Sequence, residues 1–471
     1  MKKLLISILQ IILISNSIVA QTPQSAIDSF LSAKGFEHAL LGVCIKDMNG
    51  QTLCEFNRDK LLTPASIMKV VTTATALETL GEDFQYKTRL SYVEGDTATL
   101  VVSGSGDPTL GSEYIPDKAR NFLGRWTDKI KDQSFSRQPF RVLVDDSAFG
   151  YDGISTQWIW EDMGNYYAAG AYGISVFDNA YKISFNTVRT DTLPIIAQIE
   201  PNIPDLTIQN HLTFNYSGTD NSFIHGIPFS GDRRIYGNIP ANRSNFIIKG
   251  DIPDPGFLLA KTLTDNLRIE GLKVSDFQTV RGIPQKNLSL HTFYTNLSPE
   301  LKEIVKQINF RSNNHYAEHL IRTIGIQQSS ENKGKALDDG IKTIKSYWSL
   351  KGLDTSSLVM YDGCGLSPLD AVTPEFLTDI LVDMQQGKNA ASFLASLPKA
   401  GEEGTVRNFL KGTRLTGKVW AKSGSISGVQ CFAGYFIQGE KKYAFVVMVN
   451  KFTGTRSNTV RHIESLLLSV F

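Results

Sequence analysis

Between residues 24 and 80 the chain alternates between helical and strand-like patterns of apolar residues. Residues 24–36 place apolar side chains on one side of a helix. Alternating stretches at 39–46 and 51–56, on either side of Asn49-Gly50, predict a β-hairpin. The pattern becomes helical again from Ile67 through Leu80.

This second helix carries recognisable end signals. Thr63 is an N-cap candidate, Pro64 suits a first helical turn, and Gly81 suits the C-cap. Toward the other end of the chain, residues 418–422, 429–438 and 443–449 predict three strands, and 456–470 a final amphipathic helix. Together the two ends predict one five-stranded antiparallel sheet with both terminal helices on one face, an α+β arrangement.

The middle of the chain has a different character. From about residue 88 to about 280 it shows short alternating strands and many Gly, Pro, Asn and Asp residues, with one helical stretch at 254–271. Helical patterns resume at 301–310 and 316–324. We therefore predict that the middle segment is a β-rich insertion in the sheet domain.

The N-terminus has the pattern of a secretory signal peptide. Lys2 and Lys3 precede an apolar run from Leu4 to Leu13, and small or polar residues follow up to Ala20. The apolar run is short for a membrane span, so cleavage is favoured over a retained anchor. Residues 1–20 are therefore predicted to be a signal peptide, and the protein is predicted to be periplasmic.

Composition narrows the choice of partners. Lys and Arg total 48 and Asp and Glu total 47, and no basic block stands out, which argues against a nucleic-acid partner. After the signal no segment has eighteen unbroken apolar residues, so no stable membrane span is expected. A chain of 471 residues predicts about three domains.

Four cysteines are too few for a disulfide scaffold in an exported chain of this size. In the predicted hairpin, position 44 faces 55 and position 54 faces 45, so Cys44 and Cys54 are diagonal neighbours. This favours two buried free thiols, with a disulfide as the alternative.

Ser66 and Lys69 stand three residues apart at the start of a predicted helix, which stacks them on one face. An unprotonated amine beside a serine hydroxyl can activate it as a nucleophile, and a helix N-terminus offers N–H groups to an oxyanion. Two later segments also combine hydroxyl groups with amide or amine side chains. They are Ser312-Asn313-Asn314, between two predicted helices, and Lys422-Ser423-Gly424-Ser425, near the end of a predicted strand. Each motif alone is common by chance.

Together, S-x-x-K, S-x-N and K-[ST]-G form the motif set of penicillin-binding proteins and serine β-lactamases. The chain resembles, over essentially its whole mature length, the D-alanyl-D-alanine carboxypeptidase/endopeptidase family of class C low-molecular-mass penicillin-binding proteins. Further segments carry this resemblance: 62–66, 104–110, 314–318, 362–367 and 401–405. The departures are Asn313 where class A β-lactamases have Asp, Ser423 where Thr is commoner, and Cys364 where the family usually has Ser.

The resemblance implies a fold and its divisions. The expected fold is the transpeptidase fold of serine β-lactamases and penicillin-binding proteins, a five-stranded antiparallel sheet flanked by helices, with inserted β-rich domains. The expected divisions are a discontinuous peptidase domain (21–87 and 281–471), inserted domain II (88–190 and 245–280) and inserted domain III (191–244).

The resemblance also implies roles for the motif residues. Ser66 would attack the penultimate D-Ala carbonyl of a peptidoglycan stem peptide, Lys69 would take its proton, and Ser312 would relay the proton to the leaving D-Ala. Asn314 would orient the acylated peptide, and Lys422 with Ser423 would bind the terminal carboxylate. The small residues Gly424 and Ser425 would let the peptide lie alongside the strand, with the Ser66 and Ser425 N–H groups as oxyanion hole.

Further expectations follow from the same resemblance. β-Lactams would acylate Ser66, and D-Ala–diaminopimelate cross-links would be a second substrate. Asp145 loosely matches a family position that contacts the amino end of the diamino acid, with a solvated aspartate as the alternative. No cofactor or metal is implied.

Alternative functions stay open at this point. His315-Tyr316-Ala317-Glu318-His319 matches the inverted zinc-protease motif H-x-x-E-H, with Glu331 or Glu375 as a third ligand. A serine β-lactamase would need fast deacylation, but no E-x-x-x-N segment stands in the expected place. A catalytically idle wall-binding protein is disfavoured because the motif residues are intact.

Overall fold

The computed structural model describes residues 23–116, 121–190, 193–281, 289–328 and 335–471. The predicted signal peptide, residues 1–20, lies outside the described residues. Within these ranges no helix is both long and apolar enough to cross a membrane.

The α-helices of the described residues are numbered in chain order: α1 (Pro23–Ser32), α2 (Met68–Leu80), α3 (Phe122–Lys131), α4 (Pro255–Ile269), α5 (Leu301–Arg311), α6 (Asn314–Gln328), α7 (Ala336–Leu350), α8 (Pro374–Gln386), α9 (Ala390–Ser396) and α10 (Arg456–Val470).

The strands of the described residues are β1 (Leu40–Asp47), β2 (Thr52–Phe56), β3 (Lys87–Val93), β4 (Ala98–Ser103), β5 (Phe140–Asp145), β6 (Ala180–Asn186), β7 (Ile195–Glu200), β8 (Thr207–Asn210), β9 (Thr213–Asn215), β10 (Asn221–His225), β11 (Asp232–Pro240), β12 (Phe246–Asp251), β13 (Val274–Thr279), β14 (His291–Leu297), β15 (Leu358–Val359), β16 (Ala371–Val372), β17 (Val419–Ile426), β18 (Val429–Gln438) and β19 (Lys441–Asn450).

A five-stranded antiparallel sheet joins the two ends of the chain, in the order β17-β18-β19-β1-β2. The last three strands of the chain thus pair with its first hairpin through β19 and β1. Helices α1 and α10 pack in one cluster on one face of this sheet. The α+β layer arrangement predicted from the sequence is therefore confirmed.

Side chains of the central strand β18 alternate between two cores, as the two-residue period of a strand requires. Cys431, Ala433 and Tyr435 pack with the helices that precede and follow the inserted segment. Phe432 and Phe436 point to the other face, toward the two terminal helices. Both faces of the sheet are thus covered, and helix α2 is held between the sheet and the other helices.

Helix α2 is buried along most of its length, from Met68 to Leu77. Gly81 is its C-cap and has a φ of 86°, as predicted. The prediction of Thr63 as N-cap is wrong, because a short 3₁₀ turn at Ala65–Ile67 precedes the helix. Instead, the backbone N–H and carbonyl of Thr63 pair with the side chain of Asn450, at 2.7 and 3.0 Å.

The inserted segment contains separate small sheets. One has the order β13-β5-β4-β3-β14, and a second has the order β12-β6-β7. A third is built from β8 to β11. Because β14 returns to pair with β3, the first sheet extends past residue 280, where the sequence analysis ends the insertion. Likewise, β7 pairs with β6 although residue 191 was the expected start of a separate domain.

The hairpin cysteines have the predicted register. Cys44 pairs with Glu55, and Ile45 pairs with Cys54, so the two thiols are diagonal neighbours. All four cysteines of the chain are free and buried. Burial raises the pKa of the Cys44 and Cys54 thiols to about 11, which keeps them protonated and unreactive near neutral pH.

We therefore expect all four cysteines to react with a thiol reagent after denaturation without reductant, and to react slowly in the native protein. Burial of each sulfur is the reason for the slow native reaction. Thiol titration at pH 8 in buffer and in guanidinium chloride measures both values. A count of two in denaturant would mean that two of the cysteines are bridged and would contradict four free thiols.

Candidate active site

Ser66 lies in the single 3₁₀ turn that leads into α2. The preceding residue, Ala65, has a φ of 48°, in the left-handed region that few non-glycine residues adopt. Strained backbone of this kind clusters at functional sites. The turn leaves Ser66 half-buried, whereas Lys69, one helical turn later, is fully buried.

The Lys69 amine makes three contacts. Its Nζ lies 3.0 Å from Ser66 Oγ, 2.7 Å from Asn314 Oδ1 and 2.6 Å from the carbonyl oxygen of Cys364. Burial lowers the pKa of Lys69 below its usual value, against an opposing effect of nearby acidic groups. This arrangement brings the Lys69 amine within hydrogen-bonding distance of the serine hydroxyl.

The second motif lies between α5 and α6. Ser312 is the C-cap of α5 and has a left-handed conformation, with φ at 57°. Its hydroxyl accepts a hydrogen bond from Lys422 Nζ at 2.9 Å. Asn314 begins α6, and its amide nitrogen donates to the carbonyl of Tyr167 at 2.8 Å, which turns its oxygen toward Lys69.

The third motif lies within β17, not at its end, since this strand continues to Ile426. Lys422 is fully buried, and its Nζ also donates to the carbonyl of Ser423 at 2.6 Å. Burial, and secondarily the charge of Lys69, lower its pKa well below the usual range. The Ser423 hydroxyl hydrogen-bonds Thr405 Oγ1 at 2.8 Å.

At Gly424 the strand β17 lies close to the turn of Ser66. A Cβ at this position would lie 2.6 Å from the carbonyl oxygen of Pro64 and 3.0 Å from the Ser66 nitrogen. Only a residue without a side chain allows the strand this close. Gly424 therefore places its neighbour Ser425, which is half-buried, beside the Ser66 turn.

Asp145 does not join this group. It ends β5 in the inserted segment, and one of its oxygens accepts hydrogen bonds from the backbone and hydroxyl of Ser147. It is not among the residues that line the cavity beside Ser312 and Asn314. The suggested contact of Asp145 with the diamino acid stays a prediction without support from this geometry.

The structure adds groups that the sequence analysis assigned no role. These are the carbonyls of Tyr167 and Cys364, the hydroxyl of Thr405, and the buried carboxylates of Glu318 and Asp362. Four of the five, at positions 318, 362, 364 and 405, lie in segments that carried the family resemblance. Main-chain carbonyls have no sequence signal, because any residue type supplies one.

The geometry does not favour zinc at the H-x-x-E-H segment. Both ring nitrogens of His319 face protein groups, Gly106 O at 2.7 Å and Ser175 Oγ at 3.0 Å. Glu318 pairs with Arg322 at 2.7 Å. Of the nominated third ligands, Glu375 pairs with Lys46 at 3.2 Å, and Glu331 lies outside the described residues.

A cavity of about 460 Å³ adjoins Ser312 and Asn314. Aromatic rings form part of its wall, and Glu113 contributes a carboxylate that lies 2.7 Å from Lys182 Nζ and 2.6 Å from Lys249 Nζ. The cavity therefore extends from the motif residues to the inserted segment.

Comparison with known proteins gives consistent matches. The chain is 28% identical to a D-alanyl-D-alanine carboxypeptidase from Actinomadura sp. (strain R39), covering 91% of this chain and 81% of that protein. It is 22% identical to D-alanyl-D-alanine carboxypeptidase DacB from Haemophilus influenzae, covering 90% of this chain and 88% of that protein. A crystal structure of penicillin-binding protein 4 (dacB) from Haemophilus influenzae matches with a TM-score of 0.79 at 20% identity, covering 94% and 99% of the two chains.

The structural match shows that the chain has the fold of the penicillin-binding proteins, as expected from the sequence motifs. The family model for the D-Ala-D-Ala carboxypeptidase 3 (S13) family then matches residues 23–467. The chain therefore belongs to the D-Ala-D-Ala carboxypeptidase 3 (S13) family, and the resemblance inferred from its sequence is confirmed.

A Gly424→Ala substitution tests the close approach of β17 to the Ser66 turn. The added methyl would force the strand and the turn apart, and displacements near 1 Å at a reacting centre cost about 100-fold in rate. We expect kcat/KM on a D-Ala-D-Ala peptide to fall by about that factor. A Gly387→Ala control has ordinary contact distances, 3.5 Å or more, and should retain activity. Equal activity of both variants would contradict the assigned role of Gly424.

Proposed function

We propose that the protein is a serine-type peptidase that removes the terminal D-Ala from peptidoglycan stem peptides through an acyl-enzyme on Ser66. The observation that carries this proposal is the hydrogen bonding of Lys69. Its Nζ contacts the Ser66 hydroxyl and two carbonyl-type oxygens, those of Asn314 and Cys364.

This set of partners accommodates a neutral amine as well as an ammonium, because the Ser66 hydroxyl can either accept a hydrogen bond from Lys69 or donate one to it. A neutral amine has two N–H donors and one lone pair, whereas an ammonium has three donors and no acceptor. The amide oxygen of Asn314 and the carbonyl of Cys364 can only accept, so in the neutral form they take the two N–H bonds. The lone pair is then left for the Ser66 hydroxyl, which is the geometry that a general base needs.

The remaining motif residues support the later steps. Attack by Ser66 Oγ on the penultimate D-Ala carbonyl forms a tetrahedral intermediate, whose oxyanion the N–H groups of Ser66 and Ser425 would stabilise. Lys69 takes the serine proton, and Ser312, bonded to Lys422, would pass a proton to the departing D-Ala nitrogen. Water then releases the shortened peptide from Ser66.

Lys422 and Ser423 are proposed to bind the terminal carboxylate of the substrate. Both are buried, and their side chains already contact Ser312 and Thr405 respectively. A substrate carboxylate beside Lys422 would also compensate for the burial of its charge. β-Lactams would acylate Ser66 by the same route. A structure of the Haemophilus influenzae penicillin-binding protein 4 complexed with a β-lactam is consistent with this.

Cross-link cleavage is the second proposed activity. The cavity of about 460 Å³ beside Ser312 and Asn314 favours it, because a D-Ala–diaminopimelate bond carries a second peptide that needs space. The substrate lies in the cell wall, so this function fits the proposed periplasmic location. A β-lactamase function is less well supported, because no E-x-x-x-N segment stands in the expected place. A catalytically idle wall-binding protein would not need the hydrogen bonds that bring Lys69 to Ser66.

Covalent labelling by a fluorescent penicillin, with mass spectrometry of products from defined muropeptides, tests the proposal. We expect labelled wild-type protein, release of one D-Ala, and loss of both in Ser66→Ala, because no other group replaces the nucleophile. A Ser349→Ala control changes an exposed serine of α7 and should behave as wild type. Absence of labelling and of D-Ala release in the wild type would refute the proposal.

The pH dependence of acylation tests Lys69 as the base. Acylation requires its neutral amine, so the rate should rise as the pH passes the Lys69 pKa. Burial lowers that pKa from the usual 10.5, so the rise should come at a lower pH than an exposed lysine would give. Stopped-flow acylation rates between pH 5 and 10.5 measure this. A rise centred at 10.5 or higher would contradict the role of Lys69.

A further inference from the structure

The Cys364 carbonyl that orients Lys69 belongs to a loop folded around one buried carboxylate. Asp362 is fully buried at the start of this loop, residues 362–367, which we call the Asp362 loop. Its two oxygens accept hydrogen bonds from four backbone N–H groups and an indole: Cys364 (3.0 Å), Gly365 (2.5 Å), Leu366 (3.1 Å), Ser367 (2.7 Å) and Trp158 Nε1 (2.8 Å).

We propose that Asp362 is a positioning residue for the general base, setting both the place and the basicity of the Lys69 amine through the Asp362 loop. This inference rests on the proposed function. It concerns a residue outside the three motifs, which reaches Lys69 through the main chain of Cys364.

The placing effect follows from the hydrogen bonds. The Asp362 carboxylate accepts from the N–H of Cys364, and the carbonyl of the same residue accepts from Lys69 at 2.6 Å. The loop is fixed on its other side as well. Gly363 donates to Glu318 at 2.7 Å and accepts from the Thr72 hydroxyl of α2 at 2.7 Å.

The Asp362 loop also supports the turn of the nucleophile. Gly365 has a φ of 76°, and a Cβ there would lie 1.9 Å from the carbonyl oxygen of Ala65. The loop is thus in direct contact with the strained residue before Ser66. A displaced loop would disturb the base and the nucleophile together.

The basicity effect follows from charge. The groups that face Lys69 are Asp362, Cys364 and Asp370 from the loop region, Glu318 from α6 and Lys422 from β17. Arg322 pairs with Glu318 at 2.7 Å, which offsets the Glu318 charge. Burial, and then the charge of Asp362, raise the pKa of Asp370 well above its usual range, which favours its neutral form. Asp362 is hydrogen-bonded by neutral donors, four backbone N–H groups and the Trp158 indole, and it contributes negative charge beside Lys69.

That charge opposes the effect of burial on Lys69. Burial lowers the Lys69 pKa, while the neighbouring acidic groups, Asp362 among them, raise it. A base must be neutral at the working pH yet strong enough to take a serine proton. The Asp362 carboxylate keeps the buried amine basic while its loop holds the amine in place.

The Asp362→Asn variant separates this role from a merely structural one. The amide keeps the size of the side chain but removes the charge and one acceptor. We expect at least a tenfold fall in the plateau acylation rate, the loss typical of an unmatched buried hydrogen-bonding group. We also expect the rise of rate with pH to move to lower pH, because the Lys69 amine becomes less basic. The probe is a fluorescent penicillin with the full-length protein.

A Trp158→Phe variant gives a second test if Asp362→Asn does not fold. It removes one donor to Asp362 and keeps the carboxylate, so the negative charge is less compensated. The rise of acylation with pH should then move to higher pH, opposite to the shift in Asp362→Asn. The matched control is Asp354→Asn, which changes an exposed turn carboxylate bonded to Ser356 and should leave the profile unchanged.

The outcomes distinguish this inference from the proposed function. A wild type that is not labelled by penicillin refutes the function itself. A labelled wild type with an unmoved pH profile in a folded Asp362→Asn variant refutes only the positioning role. If that variant does not fold, an unmoved profile in Trp158→Phe refutes it instead.

Discussion

The hydrogen bonding of one buried amine holds the site together. Lys69 Nζ joins its own helix to the start of α6 through Asn314 and to the Asp362 loop through the Cys364 carbonyl. A buried amine without partners costs several kcal/mol, so these segments must arrive together for the fold to be stable. The five-stranded sheet must be in place as well, because its strand β17 packs against the Ser66 turn at Gly424.

The kind of partner decides what a buried lysine can do. Lys46 is also buried, but it contacts two carboxylates, Asp379 at 2.5 Å and Glu375 at 3.2 Å. Although burial lowers the pKa of Lys46, these carboxylates outweigh it, and the amine stays charged. Lys69 contacts only neutral oxygens directly, and its pKa falls. Uncharged acceptors therefore leave the pKa of Lys69 lowered by burial, whereas carboxylates keep the pKa of Lys46 raised.

The parts of the fold with a strong local pattern could be predicted from the sequence. The terminal sheet followed from alternating strands and the Asn49-Gly50 turn. The predicted register of Cys44 and Cys54 is also found, although the hairpin has a register shift between Ile45 and Lys46 that the sequence did not predict. The N-cap of α2 was predicted wrongly, because Thr63 is engaged by Asn450, a residue distant in the sequence. The pairing of β14 with β3 was missed for the same reason: no local pattern encodes which distant strand a segment joins.

In the site, the motif side chains could be predicted from the sequence, whereas their main-chain partners could not. The observed contacts also explain the departures from the family motifs. Each departure leaves the required contact intact. Asn313 accepts the N–H of Tyr316 at 3.0 Å, a helix-capping bond that Asn and Asp make equally well. Ser423 keeps the hydroxyl that meets Thr405. At position 364 only the main-chain carbonyl meets Lys69, so Cys can replace Ser there without loss of that contact. A motif constrains the side chain only where the side chain makes the contact, and this is why main-chain partners of the base are invisible in the sequence.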